Sequence, residues 1–350
     1  MAQTPVESMA LFRSAISRYF PKYDLELVLL LSVCVTLMIR GLSQPLCLLL
    51  LGPASVGKTT LLELIKGIQM HGDPLIVWRD NITPAAIVSG APGIEPEEML
   101  INQLNGHVLA VPELAPISSN QQSKQLYSDL IRLLDGTGGL VRATGNGTRG
   151  LDQSMRWAML GAIVRLSDKM HKEMQNLGPR MVFLRLRPTE LTFDQSVAEL
   201  TKLPTKRSYL EKLEIGRQLV TGFFDSIQKF FPNGVRWDEK NDNPQIKSYI
   251  ARIALLITTL SANIVKEVKS EPGVPQKPDP KRMMMICYSI SCGHGFLNGR
   301  TSLTMDDLLV PIRLLDTIPE SRYDLLQALV KNGGTITSKQ YAKISDLSRG

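Results

Sequence analysis

Gly52-Pro53-Ala54-Ser55-Val56-Gly57-Lys58-Thr59, followed by Thr60, is the stretch from which the fold can be worked outward. It fits the pattern G-x-x-x-x-G-K-[ST] in full. Glycines at the fixed positions let the backbone wrap closely, so that successive N–H groups face one anion. A helix opening at Lys58 brings its positive end to the same point. Lys58 can neutralise the β- and γ-phosphates of ATP, and the Thr59 hydroxyl can ligate Mg²⁺. Gly52 to Thr60 is therefore the expected triphosphate cradle. Upstream, Leu46 to Leu51 is a short, wholly apolar run between turn signals, which fits a strand buried on both faces. Downstream, a helix is expected from Lys58 to about Ile68. Strand, glycine-bearing loop and helix, in that order, are the context the motif requires.

The pattern continues on the far side of the loop. Leu75 to Trp78, Gly106 to Val111, Trp157 to Leu166 and Met181 to Leu186 read as further strands, the last with one partly exposed face. Thr83-Pro84 opens a short helix with proline at a permitted first position. Glu95-Pro96-Glu97-Glu98 opens another, with acids at its positive end. Gln121 to Leu134 is amphipathic and stops before Asp135-Gly136. Gly138 to Gly150, rich in Gly, Thr and Arg, reads as a β-hairpin turning near Asn146-Gly147. Alternating strands and helices predict an α/β, three-layer P-loop NTPase core with a parallel sheet over residues 44–190.

Around this core the texture changes. Residues 1–43 read as a helical segment, with Asp24 capping a helix to about Arg40. Leu27 to Ile39 is the most hydrophobic stretch, but it is short of a membrane span and bounded by Glu26 and Arg40, so it reads as a buried helix and no membrane partner is expected. Tyr209 to Phe231, Pro244 to Val268, Arg282 to Phe296 and Thr304 to Asp316 are helical patterns, with a Pro- and Lys-rich loop at Ser270 to Lys281. They predict a separate all-helical lid over residues 205–318. Residues 319–350 read as the start of a winged helix-turn-helix: a helix at Tyr323 to Lys331, a turn at Gly333-Gly334 and another helix at Ser338 to Ile344, with no room for a recognition helix before Gly350.

Composition sets outer bounds. The chain has 350 residues, 43% apolar and 21% charged, which excludes a disordered chain and allows a large core. Its formal charge of +7 is compatible with nucleic acid as a partner without demanding it. The four cysteines form no C-x-x-C pair, and Cys287, Cys292 and His294 lack a fourth metal ligand at suitable spacing. Nothing in them points to a disulfide scaffold, which fits a cytoplasmic protein.

Two further residues carry chemistry by position. Glu113 follows the buried run Val108 to Val111, where a carboxylate at a strand end can orient an attacking water; the alternative is a helix-capping acid. Arg180 follows Leu177-Gly178-Pro179 and opens the last strand, where an arginine finger could reach the γ-phosphate of a neighbouring subunit; the alternative is a surface arginine in a loop.

Taken together, GPASVGKTTLL, VLAVPELAP, DGTGGLVRATGNGTRG and NLGPRMVFLRL resemble AAA+ ATPases, most closely those of phages, plasmids and integrative elements near the helicase-type branch. The helical part resembles the lid of MoxR and minichromosome-maintenance ATPases. The resemblance covers about residues 25 to 320. It implies ATP hydrolysis with Mg²⁺, a homo-oligomeric ring, hexameric in that family, and Arg180 as a finger acting between subunits. It further implies that Arg282, within Pro280-Lys281-Arg282, senses nucleotide, and that Arg142 and Arg149 of the hairpin contact DNA phosphates in a central pore. Against that last reading stands an ordinary solvated turn. Two positions depart from the family pattern: Pro112 replaces the strand-end Asp that holds Mg²⁺ through water, and the fourth strand ends in Val164-Arg165-Leu166-Ser167, where Ser167 could stand in for the usual polar residue.

The ATPase core does not itself disclose what ATP turnover drives. A helicase-like motor or switch acting on DNA in mobile-element replication or transfer is the first expectation. A MoxR-like protein-remodelling ATPase and a nucleotide-gated scaffold with little turnover are the alternatives.

Overall fold

The computed structural model describes residues 4–42, 44–114, 121–136, 138–145, 147–166, 180–189, 192–200, 205–265, 274–337 and 339. The chain opens with α1 (Pro5–Tyr19), whose Thr4 cap and Glu7 form a capping box, and α2 (Asp24–Val35). Every residue of α2 from Leu27 to Val35 is buried, which explains why its sequence shows no polar face. The helix expected as far as Arg40 stops earlier. A 3₁₀ turn at Thr36–Met38 unwinds it, and Ile39–Arg40 is extended and pairs in parallel with Val235–Arg236. That pairing brings Gly234 against Met38: at φ +64°, a Cβ there would lie 2.2 Å from the Met38 carbonyl oxygen.

The core follows. β1 (Leu46–Leu51) leads into α3 (Lys58–Ile65), then β2 (Ile76–Trp78), the short α4 (Pro84–Ile87), β3 (Val108–Val111) and α5 (Gln121–Leu134). β4 (Leu140–Thr144) and β5 (Gly147–Leu151) form the antiparallel hairpin, with Arg142 opposite Arg149. β6 (Ala158–Ile163) and β7 (Val182–Arg185) complete the central sheet. Among the described residues that sheet has five strands, all parallel, in the order β7-β1-β6-β3-β2. The fold class expected of the core, α/β with a parallel sheet between helices, is what these elements form.

Alternation along the strands separates two apolar layers. Leu46, Leu48 and Leu50 join Leu160 and Leu184 in one cluster with α1, α2 and α3. Cys47, Leu49 and Leu51 join Leu109, Met159 and Phe183 in the other, with α5 and Trp157. β7 does not expose a face, contrary to its alternating sequence: Val182, Phe183 and Leu184 are all buried. It is an edge strand, and its outward amides are taken up. Phe183 N–H donates to Thr317 Oγ1 at 3.0 Å and Arg185 N–H to Asp316 Oδ2 at 3.0 Å.

After β7 come α6 (Phe193–Leu200), α7 (Lys206–Phe230), α8 (Pro244–Ser261), α9 (Lys281–Leu297), α10 (Leu309–Arg313) and α11 (Glu320–Lys331). Two expectations change here. α8 ends at Ser261 rather than Val268, and Asn263–Val265 pairs antiparallel with Val274–Gln276 inside the stretch expected to be loop. Thr304 to Asp316 is not one helix but 3₁₀, α and 3₁₀ pieces, with Pro311 denying an uninterrupted helix its N–H.

The helices expected to stand apart as a lid share the first apolar cluster with α1, α2 and the sheet. Phe12 of α1 stacks on Phe223 of α7 with ring centroids 4.5 Å apart. Gly293 of α9 packs so closely on α2 that a Cβ would meet the Ser32 carbonyl oxygen at 1.9 Å. Gly333 and Gly334 form the expected turn, at φ +67° and +93°, whereas most of Ser338 to Ile344 lies outside the described residues, so the winged helix stays an expectation. Among the described residues no helix is long and apolar enough to cross a membrane.

Buried polar groups tie the helical part together. Cys287 and Cys292 are free and buried, and burial pushes the Cys287 thiol up to about 12. His294 Nδ1 is committed to Asp307 Oδ1 at 2.7 Å. Asp307 also accepts from Arg300 and from the Thr304 N–H. Burial by itself raises the Asp307 carboxyl, but these hydrogen bonds outweigh it and hold the group below the usual carboxylate range. A carboxyl lowered in the fold contributes stability above its unfolded pKa, and loses that contribution as pH falls through the folded value. Asp307→Asn is therefore expected to destabilise the fold at pH 7 by about 3–5 kcal/mol in urea titrations. The gap to the unmodified chain should narrow below pH ~4; a gap that stays constant into acid would count against this account.

Candidate nucleotide-binding site

The loop between β1 and α3 is curled tightly. Gly57 caps α3 in the left-handed region at φ +96°, and Ser55 sits at φ +64°. Only glycine fits at 57: an added Cβ would fall 1.8 Å from the Tyr23 hydroxyl oxygen, which donates to the Val56 carbonyl at 3.3 Å. Lys58, the first residue of α3, is buried and turns back over the loop. Its Nζ donates to the carbonyls of Gly52 and Pro53, each at 2.5 Å. Burial lowers the Lys58 pKa, and the negative charge of Glu113 opposes that shift.

Lys58 and Glu113 face one cavity of about 470 Å³, also lined by Thr59, Pro112, Val164 and Arg165. The sheet explains this meeting. β6 lies between β1 and β3, with Leu51 opposite Ile163 and Val111 opposite Gly161. The chain leaving β3 therefore passes the end of β6, where the Leu114 N–H donates to the Ala162 carbonyl at 2.8 Å. Two strand spacings, roughly 10 Å, separate β3 from the loop's own strand, enough for a phosphoryl group and a water between them. The Glu113 side chain is exposed to this space and, among the described residues, is not held by an ion pair. Arg165 was not singled out from sequence. It stands two residues past the end of β6, beside Gly52, whose N–H donates to the Ile163 carbonyl at 3.2 Å. Its signal was present: a charged residue closing a buried apolar run. Ser167, the residue expected to serve at this strand end, lies outside the described residues.

A second cavity, about 490 Å³, opens on the other side of the loop and is lined by Tyr23, Ser55, Val56, Arg187, Arg313 and Tyr323. Ala54 and Ser55 line both cavities, so the loop is the wall between them. Burial, with Tyr209 and Glu26 nearby, pushes the Tyr23 phenol up, so it stays a neutral donor. Thr60 Oγ1 lies 2.8 Å from the Tyr209 hydroxyl of α7, which ties the far end of the cradle to the helical part. Neither tyrosine carries a motif. Both reach the loop across long stretches of chain, so periodicity could not mark them.

The predicted arginines lie elsewhere. Arg180 stands at the N-terminal edge of β7, whereas Arg185 is the residue opposite Leu51 at the loop end. Along an extended strand that is about 16 Å from its own cradle. Arg180 pairs with Asp135, and so does Arg282, the first turn of α9 being brought to the end of α5. The structure thus joins the candidate finger to the candidate sensor and places both away from Lys58 of the same chain.

Arg142 is taken up inside the fold. It donates to the carbonyls of Pro84 at 3.0 Å and Val88 at 2.9 Å, and pairs with the buried carboxylate of Asp129. Burial raises the Asp129 carboxyl, a rise that Gln125 and Arg142 oppose. A guanidinium so engaged anchors the hairpin to α4 and α5 and is not at hand for a phosphate outside. Arg149, on the opposite strand, makes no ion pair among the described residues.

The chain matches no family model and no curated protein.

Proposed function

We propose that the loop Gly52 to Thr60 binds ATP with Mg²⁺, and that the chain hydrolyses it as an AAA+-type ATPase in a homo-oligomeric ring. The observation that carries this reading is the meeting of Lys58, Thr59 and Glu113 on one cavity at the carboxyl ends of a parallel sheet. Lys58 and the start of α3 draw the triphosphate, and Arg165 adds a second cation on the same wall. The cavity beyond Ser55 takes the nucleoside. Thr59 offers the hard oxygen that suits Mg²⁺, which would neutralise charge on the β- and γ-phosphates; Pro112 brings no oxygen from its side chain. Glu113 orients the water that attacks the γ-phosphate. Arg180 and Arg282, on the opposite edge of the sheet, act on the nucleotide of a second copy.

For the work that turnover drives, DNA is the favoured partner. Arg149 supports this, as a half-buried cation of the hairpin that makes no ion pair among the described residues. Pro112 favours a second reading, a nucleotide-gated scaffold with slow turnover. One assay separates them: phosphate release with and without single- and double-stranded DNA. Stimulation by DNA that weakens with rising salt, and that falls several-fold in Arg149→Ala but not in Arg142→Lys, is the expected outcome. Tight ATP binding with no phosphate release under any condition would favour the scaffold. Turnover that answers to a protein client and not to DNA would favour protein remodelling.

A further inference from the structure

Asp135 follows the last residue of α5 and serves two arginines with one oxygen. Its Oδ1 accepts from Arg180 Nε at 3.0 Å and Nη2 at 2.6 Å, and from Arg282 Nη2 at 2.8 Å. Three separate elements meet here: the end of α5, the entry to β7 and the first turn of α9. Two guanidinium groups on one carboxylate leave a cation in excess. Burial lowers the Arg180 pKa, and the charge of Arg282 pushes the same way. Arg180 Nη1 is buried and has no acceptor among the described residues. An arginine N–H buried without an acceptor is costly, and such a group calls for a specific explanation.

The position of the cluster supplies one. It lies on the N-terminal edge of the sheet, and the cradle lies on the C-terminal edge. Two different patches on opposite edges can meet only between copies placed head to tail, an arrangement that closes into a ring when the rotation allows. We propose that Asp135 is a positioning residue that holds Arg180 and Arg282 as one fork, aimed at the γ-phosphate on the loop of a second copy. The proposal rests on the reading of Gly52 to Thr60 as a triphosphate cradle. Asp135 offsets part of the repulsion between the two guanidinium groups, so that they can stay side by side; of the two side chains Arg282 is the more exposed, at 27% against 11%. With that charge removed, the pair splays, and a displacement of about 1 Å in a group that stabilises transferring phosphoryl costs on the order of 10²-fold in rate.

The test is ATP hydrolysis by the full chain carrying Asp135→Asn, Arg180→Ala, both together, or Asp135→Glu, each assayed well below its own thermal midpoint. Asp135→Asn is expected to lower kcat by about 10²-fold while KM for ATP stays within about two-fold, because each copy's own cradle is untouched. In the Arg180→Ala background it should add much less than its full effect, since only Arg282 is then left to position. Asp135→Glu, which keeps the charge, should recover part of the rate. Wild-type turnover in Asp135→Asn, or a loss that adds in full to that of Arg180→Ala, overturns the positioning role. Lys58→Ala in the same assay separates the two levels. If it is inactive while Asp135→Asn is active, the positioning role alone fails. If it hydrolyses ATP like the unmodified chain, the cradle reading falls and this proposal falls with it; if the unmodified chain binds ATP but releases no phosphate, the positioning role falls while the cradle stands.

Discussion

Lys58→Ala is expected to abolish ATP turnover and to weaken ATP binding by at least about 10²-fold, or ~3 kcal/mol. Lys58 is the one residue of the cradle whose charge is both buried and aimed across the loop, with Nζ 2.5 Å from the Gly52 and Pro53 carbonyls. On the proposed reading, removing it takes away the cation nearest the β- and γ-phosphates; it also leaves those two carbonyls without their donor. The second effect could be mistaken for unfolding. Lys58→Met narrows the difference, because methionine keeps an unbranched stem for packing and loses only the ammonium, its charge and its donor together. Its thermal stability is expected to stay above that of Lys58→Ala, because the stem still packs. Burial already disfavours the ammonium in the fold, so losing that charge is not a large loss of stability. Isothermal titration with ATP and a phosphate-release assay read the two properties apart. Binding and turnover unchanged in both variants would remove the triphosphate site from this loop.

Much of this site could be read from sequence because its central part is local. Strand, loop and helix are contiguous in the chain, and the fixed glycines and Lys58 state the geometry directly. α5 was legible to its ends because a strong apolar stripe stops at Asp135-Gly136. What escaped was set by contacts between distant segments. Nothing between Val111 and Trp157 states that β6 inserts between β1 and β3, yet that order is what brings Glu113 and Arg165 to the same cavity as Lys58. Arg142 looked like a free cation on a hairpin, because the carboxylate that absorbs it lies on α5 and looks, in sequence, like a polar-face residue. β7 looked half-exposed because the segment that seals its edge, around Asp316 and Thr317, follows more than a hundred residues later. Sequence periodicity reports which face of an element is apolar; it does not say what will cover the other.

Arg180→Ala is expected to leave ATP binding within about two-fold and to reduce hydrolysis by about 10³-fold or more, the scale on which an arginine finger acts. The split follows from position. The residue is separated from its own cradle by the length of β7, and a strand paired along its whole length with β1 cannot bring it closer. Its loss therefore cannot be felt by the nucleotide of the same copy. If it is felt at all, it is felt across an interface. Mixing gives the decisive form of the experiment. Glu113→Gln copies are expected to bind ATP without orienting water, and Arg180→Ala copies to lack the finger, so that on the proposed reading neither turns over alone. In a mixed ring, an interface formed by the intact Glu113 of one copy and the intact Arg180 of the other is whole again. For random assembly at equal ratio, about one quarter of interfaces are of this kind, which sets the ceiling on recovery. The competing account makes Arg180 a structural partner of Asp135, as the 2.6 Å ion pair alone would allow. That account predicts a lower unfolding midpoint for Arg180→Ala and no recovery at any mixing ratio, because a destabilised copy is not repaired by its neighbour. Recovery in the mixture with no loss of midpoint is the result that only an arginine working between copies can give.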